Sequence, residues 1–192
     1  MLASGSGTNL QALLDNAVIR SHISIVVSDR PGAGALERAE RAGIATTVVP
    51  WSEFPDRDRF SMALGDVIED SGAKGVVLAG FMRILSPGFV GRFSERILNV
   101  HPSLLPAFPG ANAVAATLEH GAKVTGVTVH VVDEGVDSGP IVAQVPVEVL
   151  PGDTVESLHA RIKAQEHLIY PRIVAAFVEG RLVVRGRDAE IR

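Results

Sequence analysis

Three stretches of the chain are apolar with almost no polar interruption: HISIVVSD (His22–Asp29), GVVLAG (Gly75–Gly80) and ILNV (Ile97–Val100). A continuous apolar, β-branched run of this length predicts a strand buried on both faces. IATTVVP adds a short strand that Pro50 ends. Between these runs the spacing changes. Residues 34–43 (GALERAERAG) hold helix formers and a glycine stop. From Phe60 to Ser71 the apolar residues Phe60, Leu64, Val67 and Ile68 share one helical face. Strands alternating with helices of about ten residues predict right-handed βαβ units and a mostly parallel, doubly wound, Rossmann-like α/β sheet.

Beyond Lys123 the pattern changes again. KVTGVTVHVVDEG alternates, and GPIVAQVPVEVL follows after a turn, predicting added antiparallel strands. The stretch from Asp153 to Gly180 reads as one long helix with Asp153 or Thr154 as N-cap, which Pro171 should kink or divide. RLVVRGR reads as a small terminal strand. Residues 1–3 are too short for the strand that the glycine-rich loop after them needs. An incomplete first strand, with a few apolar residues missing before Met1, is therefore expected. No repeat, linker or low-complexity tract interrupts the 192 residues, so one domain spanning 1–192 is expected.

Composition narrows the chemistry. A net charge of −4 offers no general surface for nucleic acid. With 0 cysteines there are no disulfides and no thiolate metal ligands, which fits a reducing cytoplasm. No apolar run approaches the ~18 residues of a membrane span, and no signal peptide is evident.

Four motifs carry candidate chemistry. SGSGTN (Ser4–Asn9) lets backbone approach an anion, and the helix after it offers free N–H groups. It lacks the lysine of a P-loop, and it serves equally as a plain turn with Thr8 as N-cap. NVHPS places Asn99 and His101 at i and i+2, so both side chains of an extended segment point the same way. The imidazole can exchange a proton near neutral pH and the amide can donate to an oxyanion. Pro102, Pro106 and Pro109 stiffen the loop that follows; a surface loop with a solvated histidine is the plain alternative. DEGVDSGP carries Asp133, Glu134 and Asp137. Asp137, leaving through a constrained Ser-Gly-Pro turn, is the best candidate to orient a histidine. The other two read as solvated acids. GFMRILSP puts Met82, Ile84 and Leu85 past a strand end, where they cover either a flat ligand or, as packing alone favours, the next helix. His22, His120, His130, His159, His167 and Arg57 carry no chemistry on local grounds.

Together SGSGTNLQALL, LAGFMRILSP, LNVHPSLLPAFPG, TGVTVHVVDEGVDSGPI and AQEHLIYP resemble the phosphoribosylglycinamide formyltransferases, folate-dependent enzymes of purine biosynthesis. The similarity runs from Ala3 to about Val183. The Asn-x-His-Pro-Ser-Leu-Leu-Pro segment belongs to the wider formyl-folate family; the Gly-Thr-Asn loop and the Gln-Glu-His helix point to the glycinamide ribonucleotide branch. The resemblance implies that Asn99, His101 and Asp137 are catalytic. It implies that Gly7, Thr8 and Asn9 hold the ribonucleotide phosphate and that Glu166 binds its glycinamide end. Arg57, Met82, Arg83, Ile84, Leu85 and Asn99 would contact the folate, which replaces the packing reading of residues 82–85. Ala107 and Asn112 stand where many relatives carry lysine and histidine.

The implied reaction moves a formyl group from 10-formyltetrahydrofolate, a co-substrate, to the glycinamide ribonucleotide amine, with no metal, no nucleic acid and no membrane. A homodimer is compatible with the resemblance. Two relatives share the catalytic segment. Methionyl-tRNA formyltransferase is expected to carry a further C-terminal domain and a basic RNA surface, and formyltetrahydrofolate hydrolase an N-terminal regulatory domain. From another class, a noncatalytic nucleotide-binding module would use only the glycine-rich loop.

Overall fold

The computed structural model describes residues 1–192. The chain is an α/β protein that divides into two compact units, Met1–Leu98 and Asn99–Arg192.

The first unit contains α1 (Thr8–Leu14), α2 (Ala17–Ser21), β1 (Val26–Ser28), α3 (Gly34–Arg41), β2 (Thr46–Val48), α4 (Arg57–Asp70), β3 (Val76–Val77), α5 (Pro87–Arg92) and the start of β4 (Ile97–His101). All of its strand pairing is parallel. Val26 of β1 stands opposite Thr46 of β2, and Val76 of β3 opposite Ile97 of β4. Leu2 bridges both Val27 and Leu78, so the abbreviated first strand occupies the position between β1 and β3. Three loops, starting at Ser4, Asp29 and Gly80, therefore leave the carboxyl ends of neighbouring parallel strands, where open α/β sheets bind ligands. Leu2, Leu10, Leu13, Val26, Val27, Ile97 and Leu98 are fully buried in the core. Phe60 is buried with Trp51, Phe54 and Phe81 at ring-centroid distances of 5.0, 5.7 and 6.4 Å. Helix α4 begins three residues before the apolar stripe starts, because the Asp56 carboxylate accepts the Arg59 N–H at 2.8 Å and caps it.

The second unit contains α6 (Ala113–Glu119), β5 (Val124–Val131), β6 (Ile141–Glu148), α7 (Val155–Val178), β7 (Leu182–Arg185) and β8 (Asp188–Ile191). β5 and β6 pair antiparallel, as their alternation predicts, with a bulge at Val129/His130. Beyond Val124, β5 is buried throughout rather than on one face. Thr154 caps α7: its hydroxyl accepts from the Ser157 N–H, and the Ser157 hydroxyl accepts from the Thr154 N–H. Pro171 does not divide α7. The proline removes one backbone hydrogen bond, whereas Leu158, Ile162, Tyr170, Ile173, Val174 and Ala176 bury one stripe on both sides of it. The terminal strand is a hairpin, β7 against β8, turning at Gly186 and Arg187. No helix is long and apolar enough to cross a membrane.

Candidate active site

Asn99 and His101 lie at the end of β4, two residues apart. His101 is only 5% exposed, and its ring stands between two acceptors. Nε2 donates to the Phe108 carbonyl at 2.9 Å, and Nδ1 lies 3.3 Å from Asp137 Oδ2. The same carboxylate oxygen accepts the Gly110 N–H at 2.8 Å. The tripeptide Phe108-Pro109-Gly110 thus touches both members of the pair, with a carbonyl on the imidazole and an amide on the carboxylate.

A second histidine completes the cluster. His130, 2% exposed on β5, places Nε2 3.6 Å from Asp137 Oδ1. Asn99 Nδ2 donates to the same Nε2 at 3.2 Å, and His130 Nδ1 donates to the Val131 carbonyl at 3.2 Å. Asn99, His130, Asp137 and His101 form one connected chain of polar groups. The plain reading of His130 as an ordinary strand residue is therefore corrected. The strand register shifts at Val129/His130, an irregularity that period-two alternation in the sequence gives no sign of.

The loops that carry these groups are held firmly. Thr128 Oγ1 donates to the Ser103 carbonyl at 2.7 Å and accepts the Leu105 N–H at 3.0 Å. Gln144 Nε2 donates to the Leu105 carbonyl at 2.8 Å. Asp137 sits in the left-handed region at φ 51° and Phe108 at φ 52°, where a side chain is strained. Asp133 does more than meet solvent: its Oδ1 accepts from Gly135 N–H and Ser138 Oγ–H at 3.1 and 2.7 Å, closing the loop on itself. A Cβ on Gly139 would collide with the Val131 carbonyl, so this turn requires glycine.

Burial pushes the Asp137 carboxyl up, but the His130 ring, the Gly110 N–H and the His101 charge outweigh it and hold the carboxyl at about 2. Burial pushes His101 below its ordinary value, with the Phe108 carbonyl and Asp137 pulling back and His130 adding to the fall. A neutral His101 has one ring proton for two acceptors. A second proton gives each acceptor its own N–H.

The other predicted residues fall as follows. Gly7, at φ 73°, caps α1; Thr8 is the first helical residue rather than the cap. A Cβ on Gly7 would lie 2.6 Å from Ala35 Cα, so glycine is what lets this loop rest on α3. Gly5 O accepts from Ala35 N–H at 3.2 Å and Ser6 O from Arg38 Nε at 2.9 Å, fixing the loop. Arg57 opens α4 with its side chain 47% exposed. Met82 and Ile84 are exposed, while Leu85 is buried and Arg83 Nε donates to Asp29 Oδ2 at 2.6 Å. Glu166 is buried on α7 one turn before Tyr170. Burial and the Glu166 charge drive the Tyr170 phenol well above its usual value.

A parallel α/β framework with a buried histidine–carboxylate centre at a strand end defines a protein suited to proton-coupled group transfer. Residues 1–174 match the formyl transferase family. The phosphoribosylglycinamide formyltransferase of Escherichia coli (strain K12) is 43% identical over 98% of this chain and 91% of its own length. Its Mycobacterium tuberculosis (strain H37Rv) counterpart is 46% identical, over 98% and 88%. The trifunctional purine biosynthetic protein adenosine-3 of Bos taurus is 45% identical over 97% of this chain, which spans only 19% of that longer protein. In structure, glycinamide ribonucleotide transformylase 1 from Symbiobacterium toebii superposes with a TM-score of 0.92 at 50% identity, over 99% of this chain and 91% of that one. The chain belongs to the formyl transferase family and falls among its phosphoribosylglycinamide formyltransferases.

Proposed function

We propose that the protein transfers the formyl group of 10-formyltetrahydrofolate to the amine of glycinamide ribonucleotide, with residues 1–192 working as one formyltransferase domain in the cytoplasm. The amine attacks the formyl carbon, and the carbonyl oxygen becomes an oxyanion in a tetrahedral intermediate. The Asn99 amide and protonated His101 stabilise that oxygen; losing one such donor typically costs about 3–4 kcal/mol of barrier. Asp137 holds the imidazolium and fixes its ring. The proton leaving the amine reaches the departing N10 through His101 or a water, worth about 10²–10⁴-fold. Gly7, Thr8 and Asn9 hold the ribonucleotide phosphate, and Glu166 its glycinamide end. Arg57 and Met82 to Leu85 hold the folate. None of these steps draws on a metal.

The observation that supports this most directly is the buried His101 ring set between the Asp137 carboxylate and the Phe108 carbonyl. A module that only bound nucleotide would have no use for that arrangement. Mixing the protein with glycinamide ribonucleotide and 10-formyltetrahydrofolate, and following tetrahydrofolate release, tests the reading. Release that requires the ribonucleotide is expected. Equal release without it would make the protein a hydrolase, and no release in either case would refute the transfer.

A further inference from the structure

Residues 81–86 follow β3 with no helix or strand of their own, yet buried polar side chains from three separate places hold them. Ser4 N donates to the Gly80 carbonyl at 3.0 Å, and the Met82 N–H donates to Ser4 Oγ at 2.8 Å. Arg83 Nε donates to Asp29 Oδ2 at 2.6 Å, and its guanidinium lies 4.9 Å above the Trp51 ring. The Ser86 N–H donates to Ser61 Oγ at 3.1 Å. Ser4, Asp29 and Ser61 are 3%, 3% and 0% exposed. Asp29 Oδ1 is closed off from solvent with no hydrogen-bond partner, so the cost of burying this carboxylate is offset through Oδ2 alone. The segment consequently alternates. Arg83 and Leu85 are anchored inward, while Met82 and Ile84 stand 64% and 57% exposed. Two large apolar side chains held outward on a fixed backbone are a surface waiting to be covered.

We propose that Ser4 and Asp29 are positioning residues for the formyl donor: by fixing the Met82 amide and the Arg83 guanidinium, they hold Met82 and Ile84 in place to cover the donor's pterin ring before it arrives. This rests on reading Met82 to Leu85 as the donor segment. A segment that must be ordered on binding lowers apparent affinity by the fraction of time it is already in shape. Ser4→Ala leaves the Met82 N–H without its partner, and Asp29→Asn keeps an oxygen for Arg83 Nε but takes the charge out of that contact; either loss corresponds to a ~5–50-fold drop in the ordered population. Arg83 then acts through its anchor on Asp29 and Trp51, as part of the frame.

The test compares Ser4→Ala and Asp29→Asn with the unaltered protein. Each is expected to raise the KM for 10-formyltetrahydrofolate ~5–50-fold while leaving the ribonucleotide KM and the kcat at saturating donor within about twofold. Trp51 is the 1 tryptophan in the chain, so its emission reads the Arg83 contact directly. Asp29→Asn should shift that emission in the unliganded protein. Unchanged donor KM in both variants would overturn the proposal, as would equal losses in every kinetic constant. Should Asp29→Asn fail to fold, Ser4→Ala decides alone, because it removes one hydroxyl and no charge. Calorimetry with tetrahydrofolate on the unaltered protein separates the two levels. No binding there refutes the donor-segment reading itself, whereas binding unaffected by either substitution refutes only the frame.

Discussion

Asp137→Asn is the most informative single change, because it keeps shape and hydrogen-bonding capacity while removing one charge. The Gly110 N–H still finds an oxygen at position 137. What disappears is the attraction between a carboxylate and a protonated His101 ring 3.3 Å away. At an effective dielectric of ~20, two unit charges at that distance attract by about 5 kcal/mol, an upper bound that solvent and relaxation reduce to roughly 3–4 kcal/mol. All of that loss falls on the state in which His101 carries the extra proton, so it is felt in the transition state rather than in substrate binding. Turnover should fall by about 10²–10³-fold with both KM values within about threefold. Removing the carboxylate also removes one of the two groups that raise the His101 pKa, so the ring's pKa falls further. Steady-state kinetics across pH 5–9, following tetrahydrofolate release, measures both effects. A kcat within threefold of the unaltered protein would refute the assignment of Asp137. So would a large rise in KM with kcat preserved, since that is the signature of a binding residue.

The pH dependence of stability follows from the same pair. Asp137 is held at about 2 against 3.8 for an ordinary aspartate, so its contribution is complete above pH 4 and is lost as pH falls toward 2; with allowance for screening it amounts to about 1–2 kcal/mol. His101 is held below 6.5, so the unfolded chain takes up its proton first and stability declines as pH falls below that value. Urea midpoints at pH 7, 5 and 3 should fall in that order, and Asp137→Asn should flatten the acid end; a midpoint independent of pH would contradict both. Gly7→Ala should destabilise by ~2–4 kcal/mol, because it places a Cβ 2.6 Å from Ala35 Cα at a positive φ. Thermal melts should show a drop of ~5–15 °C, and a drop under 2 °C would mean that the loop does not pack as described. Arg187, on the turn of the β7–β8 hairpin, donates to the Ser138 carbonyl at 2.7 Å and so braces the Asp137 loop from outside the matched family region. Arg187→Ala should raise amide exchange at residues 135–138 about 2–5-fold, the worth of one exposed charged hydrogen bond; protection equal to the unaltered protein would dismiss the brace.

How much of this was legible in the sequence depended on the range of the interaction. The parallel sheet was readable because strands covered on both faces must be apolar throughout, as Val26, Val27, Val76 and Val77 are. Asn99 and His101 stood out because polar residues ended such a run, and Asp137 because a Ser-Gly-Pro turn isolated it. His130 did not, since period-two alternation assigns a strand residue to one face and carries no sign of a bulge. Ser4 and Asp29 were equally silent. Their roles rest on contacts across 78 and 54 residues, with segments whose position only the sheet order determines. The second strand of the terminal hairpin, DAEI, escaped because it is largely exposed and carries two acids in four residues, which gives no apolar pattern to read.

His130 links the Asn99 amide to the Asp137 carboxylate. Its Nδ1 proton is committed to the Val131 carbonyl, which leaves Nε2 to face the other two groups. That nitrogen accepts from the Asn99 amide at 3.2 Å and lies 3.6 Å from Asp137 Oδ1. The ring therefore aims the amide that the proposed transfer turns toward the oxyanion. If so, His130→Ala and Asn99→Ala damage the same interaction. Each should lower kcat by about 10²-fold, and the double variant should be hardly worse than either single one. Multiplying losses, with the double variant near 10⁴-fold, would mean that His130 acts independently of Asn99 and serves the carboxylate instead.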